Sequence, residues 1–351
     1  MRIALVTEHW FSRCPASDGT TTTVKAVADR LIDLGHTVRL LAPGPGLTRY
    51  RNSRVVRISP LAKPGAQVRD ALAEFGPDLV HVTDPGRIGR RALEHADRMG
   101  LRTLVVQQSP VARAMEDLWV ARVAERAGSV IVTTHWMRAA LAGLGVASDV
   151  WMPGVDGQAF TPALRDPWLH RVWGRDGRVV VGYAGALARR HDVRDLAQLS
   201  GVPGIRVVLI GEGGQRGWLA DRLPGAKVVG PLGTGDLAIA LASLDVLVHP
   251  GRSETCCHVL REAGASGVPV VAPRAGGAAE LVRNLESGLL YDATAPAGLA
   301  EAVASLAADP RRGYLGARGR ELALERDWTT AVDELLGRHR LGHNRSEVTA
   351  G

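Results

Sequence analysis

The sequence predicts an α/β fold in which helices cover both faces of parallel sheets. Short apolar runs alternate with segments of helical periodicity along almost the whole chain, and this alternation is typical of parallel strands joined by crossover helices. The chain has 351 residues, of which 46% are hydrophobic. Because this length exceeds the usual size of one domain, two domains of this class are expected.

The apolar runs that predict strands fall into two series. The first series is 2–7, 38–42, 54–58, 79–83, 103–107, 129–133 and 148–152. The second series is 178–183, 206–210, 226–229, 245–249 and 269–272. Between the series, 160–177 contains two prolines and no clear strand, so we expect the linker there.

The end of the chain has a different pattern. Trp328, Val332, Leu335 and Leu336 recur with helical spacing and predict a terminal helix. The last residues, 342–351, have no such pattern and are expected to be disordered.

The most informative stretch is 245–273, where Glu254 and Glu262 lie between two strand-like runs. The residues from Glu254 onward are compatible with a helix, which would place Glu262 about 12 Å farther along the axis and about 80° around it. This spacing suits a nucleotide sugar, with sugar hydroxyls at one carboxylate, ribose hydroxyls at the other and phosphates near the helix N-terminus. The alternative is two solvated glutamates on an amphipathic helix.

The flanks of these glutamates decide between the two interpretations. Residues 253–282 resemble the donor-site signature of glycosyltransferase family 4, the retaining GT-B enzymes that use nucleotide diphosphate sugars. Further stretches resemble other parts of that family in the same order along the chain. These are MRIALVTEHW, DGTTTTVKAVADRLIDLGHTVRLLAP, VWMPGVDGQAFTP, VVVGYAGALARRHDVRDLAQL, VVLIGEG, VVGPLGTGDLAIALASLDVLVHP and GLLYD, the last being similar to the turn after the donor helices.

The resemblance implies a GT-B architecture, with two Rossmann-like domains whose parallel sheets face each other across a cleft. Residues 1–165 would form an acceptor-binding domain and 166–325 a donor-binding domain. The segment 326–341 would be a helix that crosses back to the first domain.

The resemblance also implies roles for residues at the carboxyl ends of strands, where open parallel sheets bind ligands. Gly19 would offer a backbone N–H to a phosphate, although an ordinary N-cap turn is the alternative. Gln108 matches a family position that faces the transferred sugar or the acceptor. The catalytic set is Glu254, Gln108, Gly19, Arg189 and Arg190. The donor-binding set is Glu262, Thr255, Cys256, Cys257, His258, Gly185, Pro231 and Leu232. The acceptor-binding set is His9, Trp10, Asp84 and Ser109, for which a loop or packing role is the alternative.

The chain departs from the family at the segment that binds the diphosphate. The family has Gly-Arg-Leu-x-x-x-Lys there, and in this chain Ala186 replaces the arginine and His191 replaces the lysine. We expect Arg189 or Arg190 to compensate, with Arg252 and Arg274 as further candidates. The family also favours Phe-Gly where Cys256 and Cys257 stand, so we expect a side chain at a place where backbone would approach the donor sugar.

Composition limits the other possibilities. The net charge of +7 favours an anionic partner. The basic run 49–69 contains one aromatic residue, which argues against a single-stranded nucleic-acid platform and leaves a solvated face or a peripheral contact with an anionic membrane. There is neither a signal-peptide pattern nor a run long enough to span a membrane, so a cytoplasmic protein, peripheral at most at the inner membrane face, is expected. Cys14, Cys256 and Cys257 are expected to be free thiols.

The sequence therefore predicts a retaining glycosyltransferase that moves a hexose from a nucleotide diphosphate sugar to a hydroxyl of a lipid or small natural product. The motif subtype is similar to actinobacterial mannosyltransferases. No D-x-D pair or P-loop is present, so no metal and no cofactor are expected beyond the sugar nucleotide as co-substrate. The alternative is a non-catalytic nucleotide-sugar-binding protein whose diphosphate segment has degenerated. A GT-B epimerase or phosphorylase is disfavoured because the chain has so few lysines.

Overall fold

The computed structural model of the protein describes residues 1–10 and 19–341, and the side chains up to 338. Contacts divide the chain into two compact units: unit 1 is Met1–Pro153 with Thr329–Gly351, and unit 2 is Gly154–Trp328. The sequence prediction placed the first division at 165/166. Residues 154–165 group with unit 2 because Arg165 donates to the backbone oxygens of Ala242 and Leu244 and to the Asp245 carboxylate.

Unit 1 contains a sheet of eight strands in the order β3-β4-β2-β1-β5-β6-β7-β8. Its strands are β1 (Arg2–Thr7), β2 (Thr37–Pro43), β3 (Arg49–Tyr50), β4 (Ser53–Ile58), β5 (Leu79–Thr83), β6 (Arg102–Gln107), β7 (Ser129–Val132) and β8 (Asp149–Val150). All pairs are parallel except β3 with β4. All the strands predicted for this half are present, and only the short edge strand β3 was not predicted.

Helices cover this sheet because their apolar positions recur with helical spacing. They are α1 (Gly19–Asp33), α2 (Pro64–Phe75), α3 (Arg87–Arg98), α4 (Glu116–Arg122) and α5 (His135–Ala142). In α3 the buried face consists of Ile88, Ala92, Leu93 and Ala96, which pack in the same cluster as Val80 and Val82 of β5. The central strand β5 is buried along its whole length, as expected for a parallel sheet that helices cover on both faces.

Unit 2 contains a parallel sheet of six strands in the order β11-β10-β9-β12-β13-β14. Its strands are β9 (Val179–Ala184), β10 (Ile205–Ile210), β11 (Lys227–Gly230), β12 (Val246–Val248), β13 (Val270–Pro273) and β14 (Gly288–Tyr291). The five predicted strands are present. The prediction of a turn at 288–292 was wrong, because 288–291 pair in parallel with β13 as the edge strand β14.

The helices of unit 2 are α6 (Pro167–Gly174), α7 (Arg216–Arg222), α8 (Thr234–Ala242), α9 (His258–Ala265), α10 (Ala278–Leu281), α11 (Gly298–Ala308) and α12 (Arg312–Leu324). The predicted linker near 160–177 is not an open connection, since α6 lies within it. Asp166 caps this helix by accepting the backbone N–H groups of Trp168 and Leu169. Apolar clusters lie on both faces of the sheet.

The terminal helix α13 (Trp328–Leu341) returns the chain to unit 1. Ala331, Val332 and Leu335 are fully buried, and the indole of Trp151 donates to the backbone oxygen of Ala331 at 2.6 Å. Helical spacing alone predicted this helix. The predicted disorder of 342–351 lies outside the described residues.

Both sheets reverse their strand order at one point. In unit 1 the chain goes outward in opposite directions from β1 and β5, and in unit 2 it does so from β9 and β12. In open parallel sheets, ligands bind outside the carboxyl ends of the strands at such points. The loops after these four strands are therefore the places where site residues are expected.

Candidate active site

Glu254 lies at the point of unit 2 where the strand order reverses. Its Oε1 is 2.5 Å from Nδ1 of His191, which follows β9, and 3.9 Å from Nε2 of His249, which directly follows β12. The side chain of Glu254 is 18% exposed and that of His191 is 25% exposed, so a ligand can reach the pair. The fold thus brings together three titratable groups from two neighbouring loops.

The prediction that Glu254 opens a helix was wrong. Helix α9 begins at His258, and the residue before it, Cys257, has φ of 48°, in the left-handed region that interrupts the start of a helix. Glu254 lies in the preceding loop, where its backbone oxygen accepts the N–H of Gly277 at 2.7 Å. The axial and angular separation expected from an uninterrupted helix therefore does not apply to the two glutamates.

The charge of Glu254 is set by opposing effects. Burial raises the pKa of its carboxyl group, but the hydrogen bond with His191 and the charges of His249 and Arg190 lower it more, so the pKa lies below its ordinary value. Burial lowers the pKa of His249, which favours its neutral form. The site therefore holds an ionised carboxylate next to imidazole groups.

The candidate arginines separate into distinct positions. Arg252 donates to the carboxylates of Asp192 and Asp195, and Arg274 donates to the backbone oxygen of Leu290. Arg189 and Arg190 are exposed and have no partner for a hydrogen bond or ion pair within the described part of the chain. The two differ in surroundings, because the charge of Arg190 acts on Glu254 and that of Arg189 acts on Arg194. Of these arginines, Arg190 is the one whose charge lowers the pKa of the Glu254 carboxyl group.

Glu262 lies on α9 and is partly exposed. Desolvation by the surrounding protein raises the pKa of its carboxyl group to about 7. No hydrogen bond or ion pair to this carboxylate exists among the residues that the structure describes. A carboxylate held in a desolvated place without a protein partner is what a site for ligand hydroxyls requires.

The residues between the two glutamates are largely buried. Thr255, Cys256 and Cys257 are buried, and neither cysteine forms a disulfide within the described part of the chain, as predicted, while Cys14 lies outside the described residues. The expectation that a cysteine side chain would stand where backbone approaches the sugar does not fit Cys257, whose side chain is part of an apolar core cluster. His258 stacks on Trp328 with ring centroids 5.7 Å apart.

The loop after β9 is shaped by a close approach of two backbones. Gly185 has φ of 148°, and a Cβ on Gly211 would overlap the Gly185 backbone oxygen, so glycine is required at both positions. Pro231 is exposed and Leu232 is partly buried after β11. Gly185, Pro231 and Leu232, three of the predicted donor-binding residues, therefore lie at carboxyl ends of strands of unit 2.

In unit 1, Asp84 organises the loops at the carboxyl end of the sheet. Its Oδ1 accepts the backbone N–H groups of Gln108 and Ser109 at 2.6 and 2.9 Å. Its Oδ2 accepts the hydroxyls of Ser109 and Thr20 at 2.8 and 3.3 Å. Because both oxygens are engaged by protein donors, the structure favours an organising role over the predicted contact of Asp84 with an acceptor.

The other predicted residues of unit 1 surround this carboxylate or the end of β1. Gln108 is buried, and its role towards the sugar or acceptor stays a prediction. Gly19 is the first residue of α1, and residues 11–18 before it lie outside the described part of the chain. His9 is exposed, whereas Trp10 is buried with its ring edge-on to Tyr50 at 5.0 Å between centroids, which favours the packing alternative.

Two features of the sites were not predicted. Glu8 accepts the backbone N–H groups of Ile88 and Gly89 at 2.5 and 2.9 Å and so caps α3. His249 and His191 join Glu254, although neither was in the predicted site sets. Position at the end of a strand was the available signal for Glu8 and His249, since each directly follows an apolar run.

Family models and known relatives match this chain. The family described as Glycosyltransferase Family 4 matches residues 17–158, and the family described as Glycosyl transferases group 1 matches residues 178–309. A GDP-mannose-dependent alpha-mannosyltransferase of Mycolicibacterium smegmatis is 35% identical over the whole of both chains. A GDP-mannose-dependent alpha-(1-6)-phosphatidylinositol dimannoside mannosyltransferase of Mycobacterium tuberculosis is 28% identical over 85% of this chain and 86% of its own.

Solved structures show the same architecture. Sucrose-phosphate synthase from Thermosynechococcus elongatus superposes with a TM-score of 0.80 at 21% identity, covering 97% of this chain and 98% of the other. At that identity the likeness shows the fold alone, which is GT-B with two parallel-sheet α/β domains. The chain therefore belongs to glycosyltransferase family 4, as a GT-B glycosyltransferase similar in sequence to actinobacterial mannosyltransferases.

Proposed function

We propose that the protein is a retaining, metal-independent mannosyltransferase that uses GDP-mannose as donor and a hydroxyl of a lipid or small natural product as acceptor. The observation that carries the proposal is the pair of carboxylates in unit 2, with Glu254 ionised and Glu262 desolvated and without a protein partner. The GDP-mannose donor is supported by the M. smegmatis relative, which aligns over its full length.

Each carboxylate has a separate role in donor binding. Glu262 accepts the ribose hydroxyls of the nucleotide, because a desolvated carboxylate without protein donors gains most from hydroxyl donors. Glu254 accepts a hydroxyl of the hexose. The backbone after β9, including Gly185, and the nearby Arg190 serve the diphosphate.

The chemical step breaks the bond between the anomeric carbon and the diphosphate and forms a bond from that carbon to the acceptor oxygen. The acceptor hydroxyl attacks from the face that the diphosphate leaves, and its proton passes to the departing phosphate oxygen. Negative charge develops on the diphosphate, so fixed N–H groups and a guanidinium near it contribute most to the rate. The carboxylates orient the donor and form no covalent bond to the sugar.

Acceptor recognition belongs to unit 1 in this proposal, with His9 and Ser109 as the predicted residues that are exposed. The lipid class is supported by the M. tuberculosis relative, whose name includes a phosphatidylinositol acceptor. Among the described residues no helix is long and apolar enough to cross a membrane. In this proposal the protein reaches a lipid acceptor through a surface contact.

Part of the positive charge of the basic segment 49–69 is paired within the protein, so fewer cations can contact a membrane than its composition indicated. Arg51, Arg54 and Arg69 are paired with carboxylates, and Arg57 donates to backbone oxygens. Arg49 and Lys63 are exposed without an acidic partner in the described part of the chain.

Two leucines accompany these two cations. Leu47 is 60% exposed and Leu61 is 95% exposed. They lie in the loops after β2 and β4, which are neighbouring strands. Two exposed leucines beside two unpaired cations support a peripheral contact with an anionic membrane.

A screen of nucleotide sugars for thermal stabilisation tests the donor. GDP-mannose is expected to raise the midpoint of unfolding more than UDP-glucose does, since the ligand that binds more tightly to the folded state stabilises it more. Release of free mannose or transfer to an acceptor then separates an enzyme from a binding protein. If no nucleotide sugar raises the midpoint, the proposal fails.

A further inference from the structure

The Glu254 carboxylate is held by the protein through one oxygen. Nδ1 of His191 and Nε2 of His249 approach the same atom, Oε1, at 2.5 and 3.9 Å. Oε2 receives no donor from the residues that the structure describes. One oxygen of a partly exposed carboxylate is therefore available to a ligand.

The hydrogen-bond partners indicate the direction of each contact. Nδ1 of His249 accepts the backbone N–H of Gly251 at 3.3 Å, so its proton is on Nε2, which points to Glu254. An ionised carboxylate can only accept, so Nδ1 of His191 donates to it. His191 is thus the hydrogen-bond donor to Oε1, whereas Nε2 of His249, at 3.9 Å, is too far away for a hydrogen bond.

The groups around His191 leave this contact without a competitor. Asp192 follows it directly, but the Asp192 carboxylate is bound by the backbone and guanidinium of Arg252. The side chain of Arg190 is exposed. The loop at Gly251 packs tightly on the Glu254 side chain, since an added Cβ there would overlap it. The pair is therefore fixed from both sides.

We propose that His191 is a positioning residue for the donor hexose, because its hydrogen bond to Oε1 directs Oε2 of Glu254 at a hexose hydroxyl. The inference rests on the proposed function of the same site. A glutamate side chain rotates about three bonds, and a fixed orientation is worth most when the ligand is bound through a single hydroxyl contact. The proposal places His191 at the sugar end of the donor and gives it no contact with the diphosphate.

Two substitutions test whether the position of the hydrogen-bonding nitrogen at residue 191 matters, or only the presence of a polar side chain there. His191→Asn places an amide nitrogen as many bonds from the backbone as Nδ1, whereas His191→Gln places it as far away as Nε2. The measurements are kcat and KM for GDP-mannose, and calorimetric affinities for GDP and for GDP-mannose. Equal midpoints of thermal unfolding verify that both variants are folded.

His191→Asn is expected to retain kcat within about threefold, and His191→Gln to lower it about tenfold or more, as for a lost hydrogen bond to a charged group. The affinity for GDP is expected to be unchanged in both variants, while the extra affinity of GDP-mannose over GDP falls only in His191→Gln. This pattern would not arise from a purely structural role, which would affect GDP and GDP-mannose alike.

Three results would overturn the inference while the enzyme remains a transferase. They are wild-type behaviour of His191→Gln, an equal loss of kcat in both variants, and a loss of GDP affinity as large as that of GDP-mannose, which would place His191 at the diphosphate. A wild-type protein that binds neither GDP nor any sugar nucleotide would overturn the proposed function as well, and the two failures are distinguishable on this ground.

Discussion

The ionised carboxylate of Glu262 is expected to lower the free energy of unfolding, although it contributes to nucleotide binding. Burial raises its pKa from 4.5 to about 7. A carboxyl group with a raised pKa in the folded state favours folding least when it is ionised, so stability is lost as the pH rises from about 4.5 to 7. Replacement by glutamine removes the charge without removing the volume.

The size of the effect follows from the pKa. At about 1.4 kcal/mol per pKa unit, the rise corresponds to at most about 3.4 kcal/mol above pH 7. Because the side chain is partly exposed, solvent screening reduces this to about 1–2 kcal/mol. Glu262→Gln should therefore be more stable than the parent by that amount at pH 8, with little difference at pH 5.

The assay is denaturant unfolding of both proteins at pH 5 and pH 8, combined with calorimetric titration of GDP. The parent should bind GDP progressively more weakly as the pH falls below 7, because protonation replaces the charged acceptor for the ribose hydroxyls by a weaker neutral one. Glu262→Ala should weaken GDP binding by about 1.5–3 kcal/mol at pH 8. The exposed Glu301 on α11 provides the control, because Glu301→Gln should change neither quantity.

Two results would refute this reasoning. Equal stabilities of Glu262→Gln and its parent at pH 8 would show that the carboxylate is not desolvated. An unchanged GDP affinity of Glu262→Ala would remove the residue from the nucleotide site.

Glu254→Ala should lower kcat severely while GDP affinity, measured by calorimetry, stays close to that of the parent; equal losses of GDP affinity in Glu254→Ala and Glu262→Ala would show that the two roles are wrongly assigned. Arg190→Ala should lower kcat by about tenfold or more and Arg189→Ala much less, because of the two arginines Arg190 is the one whose charge acts on Glu254. Equal rates of the two variants would contradict this. Transfer should proceed in EDTA at the rate seen without it, since no D-x-D pair is present; a loss in EDTA that Mn²⁺ restores would refute metal independence.

The sequence was sufficient for the parts of the fold that repeat a simple pattern. The central strands such as β5 are buried on both faces, so their residues are almost continuously apolar and are recognisable without knowledge of their neighbours. The edge strands β3 and β14 were missed because they are short and depend on pairing with one neighbour. The helix α6 was missed because the two prolines in 160–177 suggested a linker. One of them, Pro167, occupies the first position of that helix, where proline is tolerated.

The membership of the candidate site stays a prediction, whereas part of its expected geometry was wrong. Glu254 and Glu262 were identified from their flanks, but the left-handed backbone of Cys257 moves Glu254 off the helix, and a non-glycine residue gives no sign of this. The contact of His191 with Glu254 joins residues 63 positions apart, which periodicity does not report. Asp84 was assigned to the acceptor because strand ends bind ligands, whereas in the structure it accepts hydrogen bonds from backbone N–H groups and hydroxyls of neighbouring loop and helix residues.

The central claim is that this chain transfers mannose from GDP-mannose. The most direct measurement incubates the protein with GDP-[¹⁴C]mannose and a lipid extract, and follows label in the organic phase together with GDP release. The account predicts organic-soluble label with an α-mannosidic linkage and an equal amount of GDP, both abolished in Glu254→Ala. Tight binding of GDP-mannose with neither transfer nor hydrolysis, under any acceptor tried, would contradict it and show that the chain is a nucleotide-sugar-binding protein.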